Sequence, residues 1–569
     1  AITNYKFITN RTSTTMNGYF NVNILKSLKF RSDVFYERSS YDKFSYSDNN
    51  FGIAANVDGR VSQNRDFDTT LNLTQSLNYK TYFGLNSLNA DVIFEALKYQ
   101  IDELGASGIG FLTNVNVLNG STNPEAVSGS NTEERLISII SRLSYNYDKK
   151  YYLEVSARRD GSTRFSEESR WGNFYSIGGS WIASEESFIK DIGFINYLKI
   201  KASYGELGNN RGIGYFPYLQ LFETGFSQGN NPGVLSSSPV DPILTWEKTA
   251  MLNYGVEFRI FDGLLDGSVE IYNKESIDLI YDRPLAISTG NDFIKTNVGS
   301  LKNYGVEFSL RSTIIDKEDF IVNLGLNFSI DNNEISKLSQ KEFINDNKKW
   351  KVGRSLYEFY VRESAGVDPN DGYLMWYKDI LDASGDPTGE RTTTKVYSDA
   401  DRYYVGASSL PDIIGGFNTS VTYKDFDFNA LFNFSYGSYV YDYSYERLMN
   451  TTDIAGQRHA DIAERWRKPG DITKVPLLLN SQNYFGATSS RFLFKNDYIR
   501  LKALSIGYSF KKIFVQRLNL SRFRLYLQGD NIFTYQTHKG IDPEQNLSGA
   551  TNNRSYQLKT ISLGVNVQF

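Results

Sequence analysis

Hydrophobic and polar residues alternate with a period of two along most of the chain. The alternation is clearest in the last nine residues, where the apolar positions are Ile561, Leu563, Val565, Val567 and Phe569. Side chains at positions i and i+2 of a β-strand lie on one face, so this segment predicts a strand with one apolar face and one small, polar face. Residues 320–329 and 426–435 show the same pattern and predict two further strands of this kind.

Runs of the same alternation recur along the whole chain. They occupy residues 13–25, 27–40, 66–78, 86–98, 133–147, 150–160, 173–183, 197–206, 249–261, 264–281, 301–315, 412–424, 497–510 and 520–533. The periodicity therefore predicts about seventeen strands, each able to cross a bilayer at roughly 9–11 tilted residues. A change of phase near Ala503 predicts a β-bulge. Helical signals are confined to short segments at 184–190 and 461–467.

The connections between these strands alternate between short and long. Tight turns are predicted at Lys26, Asp148–Lys149, Asp262–Gly263, 316–318 and Lys424–Asp425. Long polar stretches lie near 41–65, 99–131, 161–172, 207–248, 282–300, 331–411, 438–496 and 535–554. Short turns on one side and long loops on the other are typical of a transmembrane β-barrel. We therefore expect the long stretches to face outside the cell and the C-terminus at Phe569 to lie in the periplasm.

The residues on the polar faces distinguish two β-rich architectures. A secreted protein of several β-sandwich domains needs an apolar interior, whereas a wide barrel with a hydrated lumen does not. The polar positions here are mainly Asn, Ser, Gly and Gln, which favours the barrel. We predict an all-β fold, a transmembrane antiparallel β-barrel with about 17 of the roughly 22 strands that a plugged transporter barrel contains. The first strand of this chain is expected to run inward, whereas a barrel that starts in the periplasm begins with an outward strand. An odd number of strands should therefore precede it, and the difference between roughly 22 and about 17 strands is also odd.

The composition narrows the classes of function. The chain has 569 residues, no Cys, only two His (His459 and His538) and a formal charge of −4. These values exclude disulfides and thiolate metal sites and provide no basic surface for nucleic acid, and no sequence spacing singles out an acid–base pair of carboxylates. We expect no nucleic-acid partner, no metal, no cofactor and no enzymatic activity. The first residues do not resemble a signal peptide, so we expect a mature, processed or partial chain.

Aromatic residues in the long loops are the candidate substrate contacts. They are Tyr215, Phe216, Tyr218, Tyr373, Trp376 and Tyr377. Exposed aromatic rings can stack on sugar rings or on peptide side chains, and packing within a loop is the alternative for each of them. Residues 368–372 resemble half of a calcium-binding loop but favour a tight turn. Residues 158–165 fit either a ligand-binding cluster or a charged strand end.

Several motifs resemble, in collinear order, those of SusC/RagA-type TonB-dependent transporters. The motifs are Tyr152–Phe165, Arg170–Gly172, Leu198–Gly205, Gly208–Asn209, Leu244–Lys248, Asn297–Ser300, Asn303–Phe308, Ala365–Pro369, Leu410–Phe417, Arg465–Gly470 and Tyr498–Lys502. The resemblance extends over roughly residues 13–569. Because many separate motifs recur in one order, we regard it as specific.

The resemblance implies an outer-membrane importer of oligosaccharides, peptides or similar oligomers. It implies a SusD-like surface lipoprotein that covers the extracellular mouth, energy delivered by TonB, and a lipid bilayer around the barrel. It also implies that residues 1–569 are the C-terminal part of a longer polypeptide, since the N-terminal domain, plug and first strands of that family have no counterpart here. TonB would then act through a segment that this chain lacks.

Two other functions remain open at this stage. The barrel could be a scaffold or assembly subunit of a larger outer-membrane complex, or it could be a passive porin. The terminal Phe569, with Val567 and Val565 on the same face, resembles the signal that barrel-assembly machinery reads. The alternative is that Phe569 only continues the alternation.

Overall fold

The protein is almost entirely β-structure. The computed structural model describes residues 5–112, 117–229, 231–237, 239–450, 457–478, 486–511, 513, 515, 520–551 and 555–569. Seventeen strands belong to one sheet, and the all-β prediction is confirmed. None of the helices in these described ranges has the length and apolar character that a membrane crossing requires.

By contact density the chain divides into two compact units. The first comprises Ala1–Trp181, Ser203–Met251 and Ser276–Val298, and the second comprises Ile182–Ala202, Leu252–Glu275 and Gly299–Phe569. Five strands contribute residues to both units. They are β7 (Trp171–Ile182, of which only Ile182 lies in the second unit), β8 (Ile195–Asn209), β11 (Glu247–Ile260), β12 (Leu265–Pro284) and β13 (Phe293–Lys317).

The first unit consists of successive antiparallel hairpins. Its strands are β1 (Lys6–Leu25), β2 (Leu28–Ser47), β3 (Arg60–Phe83), β4 (Asn86–Phe111), β5 (Ser121–Tyr147), β6 (Tyr151–Ser162) and β7 (Trp171–Ile182), with a separate hairpin of β9 (Phe222–Gln228) and β10 (Asn231–Ser236). Strands β2 and β3 pair without a register shift from Leu28↔Tyr79 to Ser47↔Arg60. This long uninterrupted pairing satisfies the backbone hydrogen bonds along the whole length of both strands.

The second unit continues the meander and adds small sheets. Its strands are β14 (Phe320–Leu338), β15 (Glu342–Asn345), β16 (Lys348–Lys351), β17 (Glu358–Arg362), β18 (Ser364–Val367), β19 (Leu374–Leu381), β20 (Pro387–Thr394), β21 (Arg402–Ser408), β22 (Ile413–Tyr423), β23 (Phe426–Tyr436), β24 (Tyr439–Tyr441), β25 (Leu493–Lys495), β26 (Tyr498–Ser509), β27 (Arg522–Gln536) and β28 (Thr560–Gln568). The order β13–β14–β22–β23–β26–β27–β28 is antiparallel throughout. The remaining strands form three sheets of two to four strands.

Helices are few and short. In the ranges that the structure describes, the α-helices with defined bounds are α1 (Ser187–Lys190) and α2 (Tyr443–Met449), and the 3₁₀ helices are Ala55–Val57, Leu118–Gly120, Ala183–Glu185, Ile287–Thr289, Tyr397–Asp399, Ala460–Glu464 and Ser490–Phe492. The helical signal at 184–190 is confirmed as a 3₁₀ turn followed by α1. The signal at 461–467 is only partly right, because the 3₁₀ helix ends at Glu464 and extended residues lead into Pro469.

One predicted loop is largely strand. Residues 99–131 were expected to form a connection, yet β4 and β5 pair from Asn86↔Tyr147 to Phe111↔Ser121. The Gly- and Ser-rich sequence hides this pairing, because ladder hydrogen bonds join main chains and do not require side-chain alternation. The segment is a two-stranded extension, and its connection is limited to the residues between Phe111 and Ser121.

The predicted bulge and tight turns are confirmed, except that the turn predicted at 316–318 lies at 318–319, because β13 continues to Lys317. The register of β26 shifts between Leu501 and Ala503 against both neighbouring strands: Lys502 is the extra residue against β23, whereas Asn531 and Ile532 face it in β27. The turn residues Asp148, Lys149 and Lys424 have positive φ, at 54°, 55° and 51°. Short hairpin turns use such left-handed backbone to match the twist of the flanking strands.

In the first unit's sheet the apolar face is exposed and the polar face is buried. The apolar side chains of Val92, Phe94 and Ile139 are 40–53% exposed, whereas Ser138 and Asp160 on the other face are 0% and 6% exposed. The register places Ser138 opposite Glu95 and Asp160, and Ile139 opposite Phe94. A soluble sheet buries its apolar face, so an apolar face directed outward is the arrangement suited to lipid.

Candidate functional site

The polar face of the second unit's sheet carries mainly neutral hydrogen-bonding groups. One row, read from the strand registers, runs Ser309, Asn327, Gly416, Asn433. The neighbouring row contains Gly325 and Asn418. This face borders a cavity of about 520 Å³. A second cavity, of about 260 Å³, adjoins Asn418 and Gly325 further along the same face. Amides and hydroxyls can donate and accept hydrogen bonds without holding a charged group.

The polar face of the first unit is charged instead. The Arg158 Nε donates to Asp160 at 2.7 Å, and its Nη2 donates to the Ser138 hydroxyl at 3.0 Å and lies 3.7 Å from Glu95. On the same sheet Arg142 pairs with Glu154 at 2.6 Å. The cluster predicted at 158–165 therefore contains an internal ion pair, while Phe165 is completely buried against Trp246.

A buried carboxylate joins three segments of the second unit beyond the strand ends. Asp442 is 2% exposed and caps α2 by accepting the Tyr445 N–H at 2.9 Å. It also lies 2.9 Å from His538 Nε2 and accepts the Thr551 hydroxyl at 3.3 Å. Burial by itself would raise the pKa of Asp442. Its hydrogen bonds, of which the one to His538 has the largest effect, lower the pKa by more than burial raises it, so the pKa lies below its ordinary value. Asp442 thus holds residues 538–551 against α2.

Both histidines of the chain belong to this region, which we call the loop assembly (residues 436–450, 457–478, 486–498 and 536–551). The His538 ring stacks on Phe494 with centroids 3.9 Å apart and planes at 5°. His459 contacts Tyr445 edge-on and lies 3.2 Å from Asp461 at the surface. The His538 side chain is 12% exposed and the His459 side chain 38% exposed, so His538 is the more enclosed of the two.

A buried lysine stabilises the neighbouring loops. Lys348 Nζ donates to the Tyr357 carbonyl at 3.0 Å and to the Ser409 hydroxyl at 2.7 Å, and it lies 4.6 Å from the centre of the Phe359 ring. Ser409 in turn donates to the Leu547 carbonyl at 2.6 Å. Burial lowers the pKa of Lys348 to about 8. The sequence carries no signal for the burial of Lys348, because a lysine at the end of a short strand looks like a solvated residue.

The six candidate aromatics are divided between the two units. In the second unit Trp376 is 1% exposed and packs with Leu374, Ala400 and Tyr373. Tyr377 is half-buried, and the Arg391 guanidinium lies 5.4 Å from its ring centre. For Trp376 this is the loop-packing arrangement, since a ligand cannot reach a ring that is completely enclosed.

The three candidates of the first unit are all less enclosed than Trp376. Tyr215 is half-buried and carries the Arg164 guanidinium 4.6 Å above its ring, and Arg164 pairs with Glu134 at 2.7 Å. Phe216 is 36% exposed and Tyr218 is half-buried. These rings therefore retain free surface, although Tyr215 already has a cationic partner.

The segment 368–372 forms the expected turn. The Asp368 N–H donates to the Tyr373 carbonyl at 2.8 Å, which joins β18 and β19. Lys395 Nζ lies 2.6 Å from Asp368 and 2.6 Å from Asp371. A lysine thus neutralises both carboxylates of this turn. Within the ranges that the structure describes, no group of three or more His, Cys, Asp or Glu is placed to hold a metal ion.

The C-terminal residues lie on the exposed apolar face of the last strand. Val565 is 54% exposed, Val567 40% and Phe569 92%. Val565 lies opposite Leu525 and Val567 opposite Phe523 in β27, and Ser521 donates to the Phe569 carbonyl at 3.2 Å. The aromatic ring itself is therefore free of packing, while its backbone is attached to the turn before β27.

The sequence and the fold are similar to known outer-membrane receptors. The family described as "TonB dependent receptor-like, beta-barrel" matches residues 2–532. The TonB-dependent receptor P39 of Formosa agariphila is 31% identical over 485 residues, which are 77% of this chain and 46% of that protein. SusC of Bacteroides thetaiotaomicron is 28% identical over 455 residues, which are 77% of this chain and 44% of SusC.

Among solved structures, the RagAB peptide importer in its "closed-closed" state superposes with a TM-score of 0.90 at 26% sequence identity. The superposition covers 100% of this chain and 63% of the RagAB chain. Its "open-open" state gives a TM-score of 0.87 at 25% identity. The chain spans slightly less than half the length of the two sequence relatives, at 46% and 44%.

Proposed function

Because this chain belongs to the TonB-dependent receptor β-barrel family, we propose that it is the barrel part of an outer-membrane importer energised through TonB. The observation that carries the proposal is the family match, which extends over residues 2–532. The exposed apolar face of the sheet supports insertion into lipid, and the opposite face, with its hydrogen-bonding groups, supports passage of hydrophilic solutes.

The transported nutrients are oligomers, either peptides or oligosaccharides. The fold similarity to a peptide importer favours peptides, and the aromatics Tyr215, Phe216 and Tyr218 have exposed ring surface for contact with a side chain or a sugar ring. Tyr373, Trp376 and Tyr377 act in this proposal mainly by holding the shape of their loop. A SusD-like lipoprotein covers the mouth, in keeping with the similarity to SusC and RagAB.

A full barrel of about 22 strands requires further strands beyond the 17 of this sheet. An unpaired strand edge in lipid leaves backbone groups without hydrogen bonds, so β1 and β28 both pair with those further strands. The same longer protein supplies the plug and the TonB-contact segment. The strand ends that carry the long connections face outside, and the C-terminus is periplasmic.

Uptake by the native bacterium tests the proposal. Deletion of the gene abolishes uptake of the peptides or oligosaccharides that the wild type takes up, and deletion of TonB has the same effect. Uptake that persists without TonB would identify a passive porin. Normal uptake together with loss of a larger outer-membrane complex would identify a scaffold. Affinity purification of the full-length protein recovers a surface lipoprotein.

The proposed assembly signal is tested separately. Deletion of Phe569 sharply lowers the amount of protein in the outer membrane, because the exposed terminal ring is available to assembly machinery. The neighbouring substitution Gln568→Ala, on the polar face, serves as the control and leaves the level unchanged. Normal levels and normal heat-modifiable migration after the deletion would mean that Phe569 only continues the alternation.

A further inference from the structure

Three asparagines on the polar face of the second unit converge over two glycines. An added Cβ at Gly416 would lie 3.3 Å from Asn433 Oδ1 and 3.5 Å from Asn327 Oδ1, and a Cβ at Gly325 would collide with Asn418 Oδ1. We call Asn327, Asn418 and Asn433 the amide ladder. Because glycine has no side chain, the asparagine amides can lie over these two positions of the sheet.

The amide ladder has unused hydrogen-bonding capacity. Asn327 Oδ1 accepts the Gly416 N–H at 3.0 Å, so its Nδ2 remains available to a ligand. Within the described residues, no protein group hydrogen-bonds the side-chain amides of Asn418 or Asn433. All three residues line the cavity of about 520 Å³. Hydrogen-bonding groups that converge on a cavity of this size are typical of a binding site.

The chemistry of the amide ladder matches a peptide main chain. A primary amide offers one carbonyl acceptor and two N–H donors, and the peptide bond offers the complementary pair. Asn418 lies two residues along β22 from Gly416, about 6.7 Å, which is also the repeat of same-side groups in an extended peptide. Phe308 and Phe328 also line the cavity, but their positions alternate with Ser309 and Asn327 along the strands. Their side chains therefore lie on the opposite face of the sheet and offer sugars no stacking surface here.

We propose that Asn327, Asn418 and Asn433 bind the main chain of an extended peptide as it passes along this face of the sheet. This inference rests on the proposed function and specifies the substrate class and its path. The neutral amides bind peptides of any side-chain composition, because they contact only the main chain. Glu307 at the edge of the cavity places negative charge beside that path, whereas Lys201 lies 2.6 Å from Glu270 and neutralises it.

The test compares uptake of two peptides by the full-length protein in its native outer membrane. One is a labelled, uncharged octapeptide, and the other is the same peptide with alternate main-chain nitrogens methylated. The double variant Asn418→Ala/Asn433→Ala lowers uptake of the first peptide by at least about fivefold, the equivalent of one lost hydrogen bond. The wild type takes up the methylated peptide more slowly, and the double variant takes up both at the same rate.

Two control variants test whether the loss of uptake comes from the amides of the ladder. Asn429→Ala removes an exposed amide from the same face of β23, outside the cavity lining, and leaves uptake unchanged. Asn418→Gln/Asn433→Gln retains the amides and restores most of the uptake if the loss is chemical. Outer-membrane abundance and heat-modifiable migration of every variant are measured, so that a folding defect is recognised.

Three results would overturn the inference. The first is unchanged peptide uptake in the double alanine variant. The second is a loss of uptake of a neutral oligosaccharide while the peptide is unaffected, which would assign the amide ladder to sugars. The third is increased sensitivity to large antibiotics with normal uptake, which would mean that this face holds another part of the chain. If the wild type itself shows no TonB-dependent uptake of either class, the proposed function fails instead.

Discussion

Two regions of the molecule, strands β2–β5 of the first unit and strands β22, β23 and β26 of the second, satisfy their backbone hydrogen bonds by different means beyond the length of a membrane crossing. In the first unit β2 to β5 are 20, 24, 26 and 27 residues long, about twice the 9–11 residues that a crossing needs. In the second unit β22, β23 and β26 have 11, 11 and 12 residues, and the connections fold into small sheets with their own apolar clusters.

The comparison shows that strand pairing and loop packing have different sequence requirements. A paired extension needs only main-chain groups, and apolar residues such as Leu104 remain 63% exposed there. A packed loop needs a core, and Phe359, Tyr441 and Phe492 are completely buried in it. The second unit should therefore be the more sensitive to substitution outside its strands.

The largest effect is expected for Trp376→Ala. The substitution leaves a cavity under the small sheet of β18 to β20 and costs about 3–5 kcal/mol of local stability. Proteolysis of residues 364–400 in isolated membranes measures the loss. The control is Leu104→Ala in the paired extension of the first unit, which should change protease resistance very little. Equal protease sensitivity of the two variants would contradict the proposed difference between packed loops and paired extensions.

Asp442→Ala is expected to release residues 538–551 from α2. It removes a helix cap and leaves His538 without its buried partner, a loss of about 3 kcal/mol by analogy with buried pairs. Hydrogen exchange of 536–551 measures the opening. The control is Asp461→Ala, which removes the exposed partner of His459 and the acceptor of the Tyr445 hydroxyl at 2.8 Å. It should cost about 1 kcal/mol, less than Asp442→Ala.

Asp442 also makes the stability of this region depend on pH. The folded pKa of Asp442 lies below its ordinary value, so the contribution to stability is complete above the unfolded pKa of about 4. It is lost as the pH falls through the folded pKa. The Asp442→Ala variant should therefore be less stable than the wild type at neutral pH, and this difference in stability should disappear in strong acid.

The lipid-facing and polar faces of the second unit are compared by inserting one charge on each. Leu324→Arg on the exposed apolar face should cost about 2–4 kcal/mol near the bilayer midplane. Asn327→Arg on the polar face of the same strand should be tolerated for folding. Urea unfolding in lipid vesicles measures both variants. Equal costs would mean that the two faces have been assigned wrongly.

Lys348 should make the second unit's loops more stable at high pH. Its pKa is lowered to about 8 by burial, so between about pH 8 and 10.4 the unfolded segment holds a proton that the folded one has lost. Stability rises with pH in that window, by at most about 3 kcal/mol for a shift of this size. Hydrogen exchange of 348–361, corrected for the intrinsic rate, measures the gain. Lys348→Met should show no such rise.

The smallest effect is expected in the first unit's charged face. Arg142→Gln breaks an ion pair whose side chains are 50% and 47% exposed, so water screens it and the loss should be below about 1 kcal/mol. Arg158→Gln should cost more, because its partner Asp160 is 6% exposed. Denaturation in vesicles compares the two, and an equal loss would mean that burial does not govern these pairs.

Much of the fold could be predicted because a period of two assigns each residue to a face independently of its distant neighbours. The alternation located the strands, the bulge at Lys502 and the turns at Asp148 and Lys424. The paired extension of β4 and β5 escaped prediction, since its Gly- and Ser-rich sequence lacks alternation. Candidate binding residues were harder to predict, because an aromatic in a loop looks the same whether it is enclosed, like Trp376, or partly free, like Tyr215.

The sequence by itself therefore determined the β-class, the two chemically different faces and the positions of most strands. Only the tertiary structure decided that Asp442 meets His538 and that Lys348 meets Ser409, because these partners are separated by 96 and 61 residues. It alone showed Asn327 and Asn433 converging over Gly416. Alternation is a local property of one strand, whereas such contacts depend on registers and loop paths that bring distant residues together.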